Sequence, residues 1–104
     1  YNFLIENLDK KYEVINSYNR LKLESIIQHN CVVSYESLVN NGDCIILSFI
    51  ENDKRYTIEI SKNRKKYIPI QFLGICNTEP EEKLVRQLDQ EIAEINKKLK
   101  KISQ

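Results

Sequence analysis

The last quarter of the chain carries its most regular pattern of apolar positions. Six apolar residues recur there at alternating steps of three and four, the a/d spacing of a helix that packs along a narrow seam: Val85, Leu88, Ile92, Ile95, Leu99 and Ile102. Thr78 followed by Glu81 matches a capping box with Thr78 as the N-cap. Glutamates near this start and lysines near the end complement the helix dipole. The pattern predicts a helix over 78–104.

The residues flanking this seam bear on what it packs against. In a parallel dimer none of the facing g and e positions would join opposite charges, so nothing specifies a parallel homodimer. Antiparallel packing, on the first helix or in a larger assembly, is therefore favoured. The alternative is that the stripe covers one face of a sheet, as helices in small α+β domains do.

The first thirty residues also follow a helical pattern. Five apolar residues share one stripe, with Asn19 at a position where a sixth is expected: Leu8, Tyr12, Ile15, Leu23 and Ile26. The stripe predicts an amphipathic or coiled-coil helix over 1–30. Asn19 would either set the register by meeting another Asn or lie in solvent at the edge of the stripe. Together the two stripes are the candidate oligomerisation surfaces.

Between the two predicted helices the period changes to that of strands. Residues 31–35 are rich in β-branched side chains, and Asn-Asn-Gly-Asp at 40–43 is a turn signal. Residues 44–50 are almost continuously apolar and should form the most buried strand. Residues 55–60 alternate, with Tyr56, Ile58 and Ile60 on one face, which predicts a hairpin.

A last strand is predicted over 67–73, after a polar, basic connection at 61–66. Pro69 cannot donate to a ladder, so this strand should lie at a sheet edge or be irregular. The fold class is therefore α+β: helix, antiparallel three- or four-stranded meander, helix, with coiled-coil-like terminal helices. The segments are 1–30, a β-meander head at 31–76, and 78–104, which packs on the head or the first helix. We expect one domain, excised from a longer protein.

Composition narrows the class of protein. The chain has 104 residues, 16 basic and 15 acidic, and this balance argues against a protein that binds nucleic acid over its whole surface. No apolar run is long enough to cross a membrane and no leader is visible, so we expect no membrane partner. The three cysteines are odd in number and widely spaced, which favours reduced thiols and an intracellular, cytoplasmic or nuclear location.

Residues capable of catalysis are sparse. His29 and Cys31 lie two positions apart, but Cys44 and Cys76 are remote, so a four-ligand zinc site is not expected. Both glycines are isolated, which excludes a phosphate-cradling loop. We therefore expect no enzyme activity and no cofactor.

One cluster of positive charge is a candidate partner-binding segment. It lies in the connection before the last strand and comprises Lys62, Arg64, Lys65 and Lys66, followed by Tyr67. The cations could contact phosphates while Tyr67 stacks on a base, or they could meet an acidic partner. The alternative is a solvated turn between strands.

Two short matches suggest a family. Arg20-Leu21-Lys22 is similar to an Arg-Leu-Lys motif of a spindle-checkpoint coiled-coil protein, and residues 42–47 (Gly-Asp-Cys-Ile-Ile-Leu) look like a turn and strand of the same head. With the helix–meander–helix plan, the chain resembles the RWD-like heads of kinetochore coiled-coil proteins. This resemblance implies dimerisation and docking, with Arg20 and Lys22 contacting an acidic or phosphorylated partner. The plan also resembles a prefoldin subunit.

From these patterns we expect a non-enzymatic oligomerisation and protein-docking module of an intracellular coiled-coil scaffold. The resemblance suggests a place in chromosome segregation or the spindle apparatus. Protein partners are expected, with a homo- or heterodimer formed through helices. The alternatives are a prefoldin-like chaperone subunit and a nucleic-acid-contacting domain that uses residues 62–67.

Overall fold

The computed structural model of the chain describes residues 2–28, 42 and 44–102. Three α-helices are described: α1 (Asn2–Asn7), α2 (Tyr18–Gln28) and α3 (Glu82–Ile102). The four strands are β1 (Tyr12–Ile15), β2 (Cys44–Glu51), β3 (Lys54–Asn63) and β4 (Lys66–Leu73). A short 3₁₀ turn, Ile75–Asn77, links β4 to α3.

The strands form one antiparallel sheet in the order β1-β2-β3-β4, which confirms the predicted α+β class with a four-stranded antiparallel sheet. Its first strand, however, lies before α2 and outside the predicted meander at 31–76. The predicted hairpin is β2–β3. Its turn residues Asn52 and Asp53 have φ of 51° and 64°, the positive values that two-residue hairpin turns require. Residues Cys44–Phe49 of β2 are all buried. The strand that contains Pro69 lies at the sheet edge, as predicted.

Helices cover both faces of the sheet. On one face, α1 and α3 bury the larger core, which includes Leu47, Phe49 and Ile58. On the other face, α2 contributes Leu21 to a smaller cluster with Ile15 and Ile46. Strand β2 therefore alternates between two apolar layers, which explains why it is a nearly continuous apolar run in the sequence.

The α3 stripe covers the sheet. Leu84, Leu88, Ile92 and Ile95 are at most 3% exposed, and Val85 and Leu99 pack at the margin of the same core. Ile102, the last seam residue, is 69% exposed. The seam is thus occupied within the chain by its own sheet, and the described residues show no coiled coil.

The prediction of one helix over 1–30 is wrong. Tyr12–Ile15 is a strand, so Leu8, Tyr12 and Ile15 do not continue a helical stripe. The Asp9 carboxylate accepts a hydrogen bond of 2.9 Å from the Lys11 amide, a side-chain turn that ends the helical segment.

The predicted start of the last helix is also wrong. The helix begins at Glu82, and Thr78 is not its N-cap. The Thr78 amide instead donates to the Ile75 carbonyl at 3.1 Å, which closes the 3₁₀ turn. Thr78 itself is extended, with φ −70° and ψ 149°, and residues 78–81 have no regular secondary structure ahead of the helix.

Two predicted segments cannot be compared with the structure. The strand expected at 31–35 lies outside the described residues, as does most of the turn expected at 40–43. The connection expected at 61–66 is shorter, because β3 runs to Asn63 and only Arg64 and Lys65 form the turn.

Among the described residues α3 is the only long helix, so the paired long helices of a prefoldin-like plan are not formed there. No described helix combines the length and apolarity needed to cross a membrane.

Candidate docking groove between β4 and α3

A groove runs along the free edge of the sheet, between β4 and α3. The two elements are antiparallel: the start of β4 lies near the end of α3, and the end of β4 lies near its start. Two stretches of this groove have volumes of about 630 Å³ and 970 Å³. They lie end to end along the same pair of elements.

Asn96 fixes α3 against the strand edge. Its side-chain oxygen accepts a hydrogen bond of 2.8 Å from the Tyr67 amide, and its nitrogen donates to the Tyr67 carbonyl at 3.0 Å. The amide side chain thus satisfies both backbone groups that a neighbouring strand would otherwise pair. The edge of β4 is closed at this position.

Pro69 closes the next position on the same edge. Backbone groups two residues apart in a strand point to the same side, so Pro69 faces outward like Tyr67. Because Pro69 faces away from β3, its lack of an N–H removes no hydrogen bond between β3 and β4. The same lack means that a strand added at this edge would find no backbone donor at Pro69. Ile70 follows as a bulge residue, skipped in the register between Gln71 and Pro69.

The wider stretch of the groove, which we call the basic half, is lined by five cations from two separate elements. Arg64, Lys65 and Lys66 come from the β3–β4 turn and the start of β4, and Lys97 and Lys100 come from the last turns of α3. No carboxylate of the described chain lines this half. Three of the four cations of the predicted basic segment are thus joined by two lysines that lie some thirty residues further along the sequence.

The narrower stretch, the acidic half, has the opposite charge. Glu79, Glu82 and Asp89 line it and no described cation does. Its apolar lining includes Ile70, which is 51% exposed, and Val85 on the first turns of α3. The two stretches along β4 and α3 therefore carry opposite charges.

Tyr67 does not face the groove as the sequence suggested. The residue is 2% exposed and belongs to the main core, so its ring is not available to stack on a base. Burial raises its pKa, partly offset by a backbone hydrogen bond with Leu4. Lys62 lies on the same side, with its Nζ 5.5 Å from the centre of the Tyr67 ring.

The predicted oligomerisation residues of the first thirty positions separate into two groups. Leu8, Tyr12 and Ile15 are at most 8% exposed in the cores of this chain. Leu23 and Ile26 lie on the outer side of α2, 43% and 62% exposed, and Asn19 is exposed on the same helix.

The two cations of the Arg-Leu-Lys motif also lie on α2. Arg20 forms an ion pair with Glu13 of β1, and Lys22 is exposed. The structure does not bring either residue to the groove.

Sequence reasoning missed the acidic half and the α3 contribution to the basic half. The signal was present as a second stripe on α3, beside the heptad seam, at steps of three and four: Glu82, Val85, Asp89, Ala93, Lys97 and Lys100. Its charge changes from acidic to basic along the helix. In the described part of the chain, no three His, Cys, Asp or Glu side chains are grouped so as to hold a metal ion.

Comparison with known proteins assigns the family. A model of the family described as PcfJ-like protein matches residues 1–98. The chain belongs to the PcfJ-like family. The resemblance to RWD-like heads is therefore wrong, because the PcfJ-like family model, a different family, matches nearly the whole of this chain. No curated protein and no solved structure matches this PcfJ-like chain.

Proposed function

We propose that this domain is a non-enzymatic oligomerisation and protein-docking module, and that the occupant of its groove is a second copy of the chain. One observation carries the proposal: the groove is acidic at one end and basic at the other, along a single pair of elements. A surface of this kind is complementary to itself when turned through 180°, which is the requirement for a two-fold dimer.

The helix positions define how two copies would meet. We place the α3 helices of the two copies antiparallel, with a two-fold axis at the level of Glu91 along the helix. Glu82 of one copy then lies opposite Lys100 of the other. Asp89 then lies within about one helical turn of Lys97 in the second copy. Ala93, near the axis, is small enough for the two helices to approach closely.

The contact is expected to use the flank of α3 rather than its seam or the sheet edge. Leu88, Ile92 and Ile95 of the seam are already buried in the core. Strand addition is disfavoured, because Asn96 and Pro69 close two positions of the β4 edge. Antiparallel helices were also the arrangement that the flanking residues of the heptad favoured.

Such an interface should be weak and sensitive to salt. Each exposed ion pair contributes about 0.2–1 kcal/mol, and salt screens it. Burial of Ile70 and Val85 adds an apolar contribution of a few kcal/mol at most. We expect a dissociation constant on the order of 10 µM to 1 mM at low salt.

Charge reversal on α3 tests this proposal. Glu82→Lys with Asp89→Lys makes the groove basic throughout, and Lys97→Glu with Lys100→Glu makes it acidic throughout. Each double variant alone should remain monomeric at concentrations where the wild type associates. An equimolar mixture of the two should associate at least as strongly as wild type, because both half-sites are again complementary. Sedimentation velocity or light scattering at low salt measures all three.

A matched control separates the groove from net charge. Lys10→Glu with Lys22→Glu changes the net charge as much as the α3 lysine variant, at exposed residues outside the groove. Mixed with the Glu82/Asp89 variant, it should not restore association to the same degree. Equal association in the control mixture, or a wild type that stays monomeric up to about 1 mM, would contradict the proposal.

A further inference from the structure

We propose that the basic half of the groove is a binding site for the phosphodiester backbone of double-stranded nucleic acid, which it contacts without reading the base sequence. Its five cations converge from the β3–β4 turn and from the last turns of α3. No described carboxylate lines the cavity itself.

The cations are available to a ligand. Lys65 and Lys66 are exposed, as are Lys97 and Lys100. Glu94 Oε1 lies 3.6 Å from Lys97 Nζ, but both side chains are about 70% exposed, so water and salt screen this pair. The site therefore presents long, exposed cationic side chains around an open groove.

The remaining side chains favour backbone contacts over base readout. The Tyr67 ring is buried, which leaves no aromatic face in this half for a base to stack on. The Asn96 amide, the group best suited to hydrogen-bond a base edge, is committed to the Tyr67 backbone. Contacts to phosphates position a ligand but carry no sequence information.

Charge density favours a duplex over other polyanions. Duplex DNA carries one charge per roughly 1.7 Å of helix axis, so lysines in any register find a phosphate. Single strands rely on stacking worth about 1–3 kcal/mol per base, which this half does not offer. An acidic peptide would need apolar anchor pockets, and the apolar lining here is limited to Ile68 and Ala93.

The proposed self-association is not needed for this site, although both contacts use Lys97 and Lys100. A second copy and a duplex should therefore compete, because each would place negative charges against the same two lysines. Lys65 and Lys66 serve the nucleic-acid site, while Glu82 and Asp89 serve only self-association. Substitutions at these two pairs of residues therefore test nucleic-acid binding and self-association separately.

The test is fluorescence-anisotropy titration of labelled duplexes with no shared sequence, one DNA and one RNA, over a series of salt concentrations. Five phosphate contacts predict a slope of log K against log salt near −4.5, and three contacts a slope near −2.7. Lys65→Glu with Lys66→Glu should weaken binding at least tenfold and reduce the slope by about 2. Single-stranded DNA and polyglutamate serve as competitors.

The controls fix the interpretation. Lys10→Glu with Lys22→Glu should weaken binding much less than the hairpin variant. Glu82→Lys with Asp89→Lys should bind the duplex at least as tightly as wild type while losing self-association. No duplex binding at about 50 mM salt, an equal effect of both lysine pairs, or stronger binding of polyglutamate or of single strands would each overturn the inference.

Discussion

At the scale of single residues, the most constrained group is the carboxylate of Glu24. Its side chain is fully buried, and it accepts hydrogen bonds from Arg55 Nε at 3.0 Å and Arg55 Nη2 at 2.7 Å. Its second oxygen accepts from the Thr57 hydroxyl at 2.6 Å. Burying a carboxylate away from water costs several kcal/mol unless the carboxylate is paired in this way. The hydrogen bonds of Glu24 with Arg55 and Thr57 therefore link α2 to β3.

Glu24→Gln should destabilise the domain by about 2–3 kcal/mol, since the substitution leaves the Arg55 guanidinium without its counter-ion at a largely buried site. Urea denaturation followed by circular dichroism measures the change. Glu94→Gln, at a side chain that is 69% exposed, is the matched control and should shift the free energy of unfolding by less than about 0.5 kcal/mol. Equal losses in the two variants would show that burial of the pair does not matter.

Glu24 also explains why the face of α2 was assigned incorrectly from the sequence. The buried residues of α2 are Leu21, Glu24 and Gln28, of which two are polar. Hydrophobic periodicity selects Leu23 and Ile26 instead, and both are exposed. The partner that makes Glu24 tolerable lies 31 residues further on, in β3, and no local pattern reports it.

At the scale of elements, Asn96 carries the registration of α3 on β4. It forms two hydrogen bonds with one residue, Tyr67, across a separation of 29 residues. The apolar contacts of α3 fix which face meets the sheet. The paired amide bonds fix how far along the strand the helix lies.

Asn96→Ala should cost about 1–3 kcal/mol, because both bonds are lost and two backbone groups of Tyr67 are opened at the sheet edge. Asn96→Asp keeps the acceptor and loses the donor, so it should fall between Ala and wild type at neutral pH. Thermal unfolding gives the ranking, with Gln90→Ala on the exposed side of α3 as the control. A melting temperature for Asn96→Ala equal to that of Gln90→Ala would contradict the role.

Elements whose signals are local were the ones predicted correctly. The β2–β3 hairpin follows from alternation and from two turn residues that accept positive φ. The first thirty residues failed because Leu8, Tyr12 and Ile15 are spaced as on a helix although the chain turns at Asp9. A further local signal was overlooked: the Ser17 hydroxyl accepts from the Arg20 amide at 3.2 Å and caps α2.

At the scale of the whole molecule, two buried tyrosines couple stability to alkaline pH. Burial raises the pKa of Tyr12, and the nearby carboxylates of Glu91, Asp9 and Glu51 raise it further. Burial also raises the pKa of Tyr67. Because the folded state holds these protons more tightly, their contribution is complete below the ordinary tyrosine pKa near 10 and is lost as pH rises above it.

Above pH 10 the free energy of unfolding should fall by about 1.4 kcal/mol per pH unit through Tyr12. Tyr12→Phe removes this part, so the variant should lose less stability between pH 9 and pH 11 than wild type. Urea denaturation at each pH measures the difference. Tyr18→Phe, at a residue that is 47% exposed, should keep the wild-type pH dependence. An unchanged slope in Tyr12→Phe would exclude Tyr12 as the source.

Only part of the groove could be predicted at this scale. The basic segment is visible in the sequence as four cations within residues 62–66. Its α3 neighbours were seen only as dipole-compensating lysines, because their meeting with the hairpin depends on β4 and α3 being antiparallel. Because these lysines also complement the helix dipole, nothing local in the sequence indicates that they lie beside the β3–β4 turn.

The same charge separation gives α3 a dipole of side-chain charges along its axis. Glu82 and Asp89 lie towards its start, while Lys97, Lys98, Lys100 and Lys101 lie towards its end, on one helix about 30 Å long. In an electric field, opposite charges at the two ends of a helix produce a torque on it. Near a charged surface we therefore expect α3 to turn its oppositely charged end towards that surface.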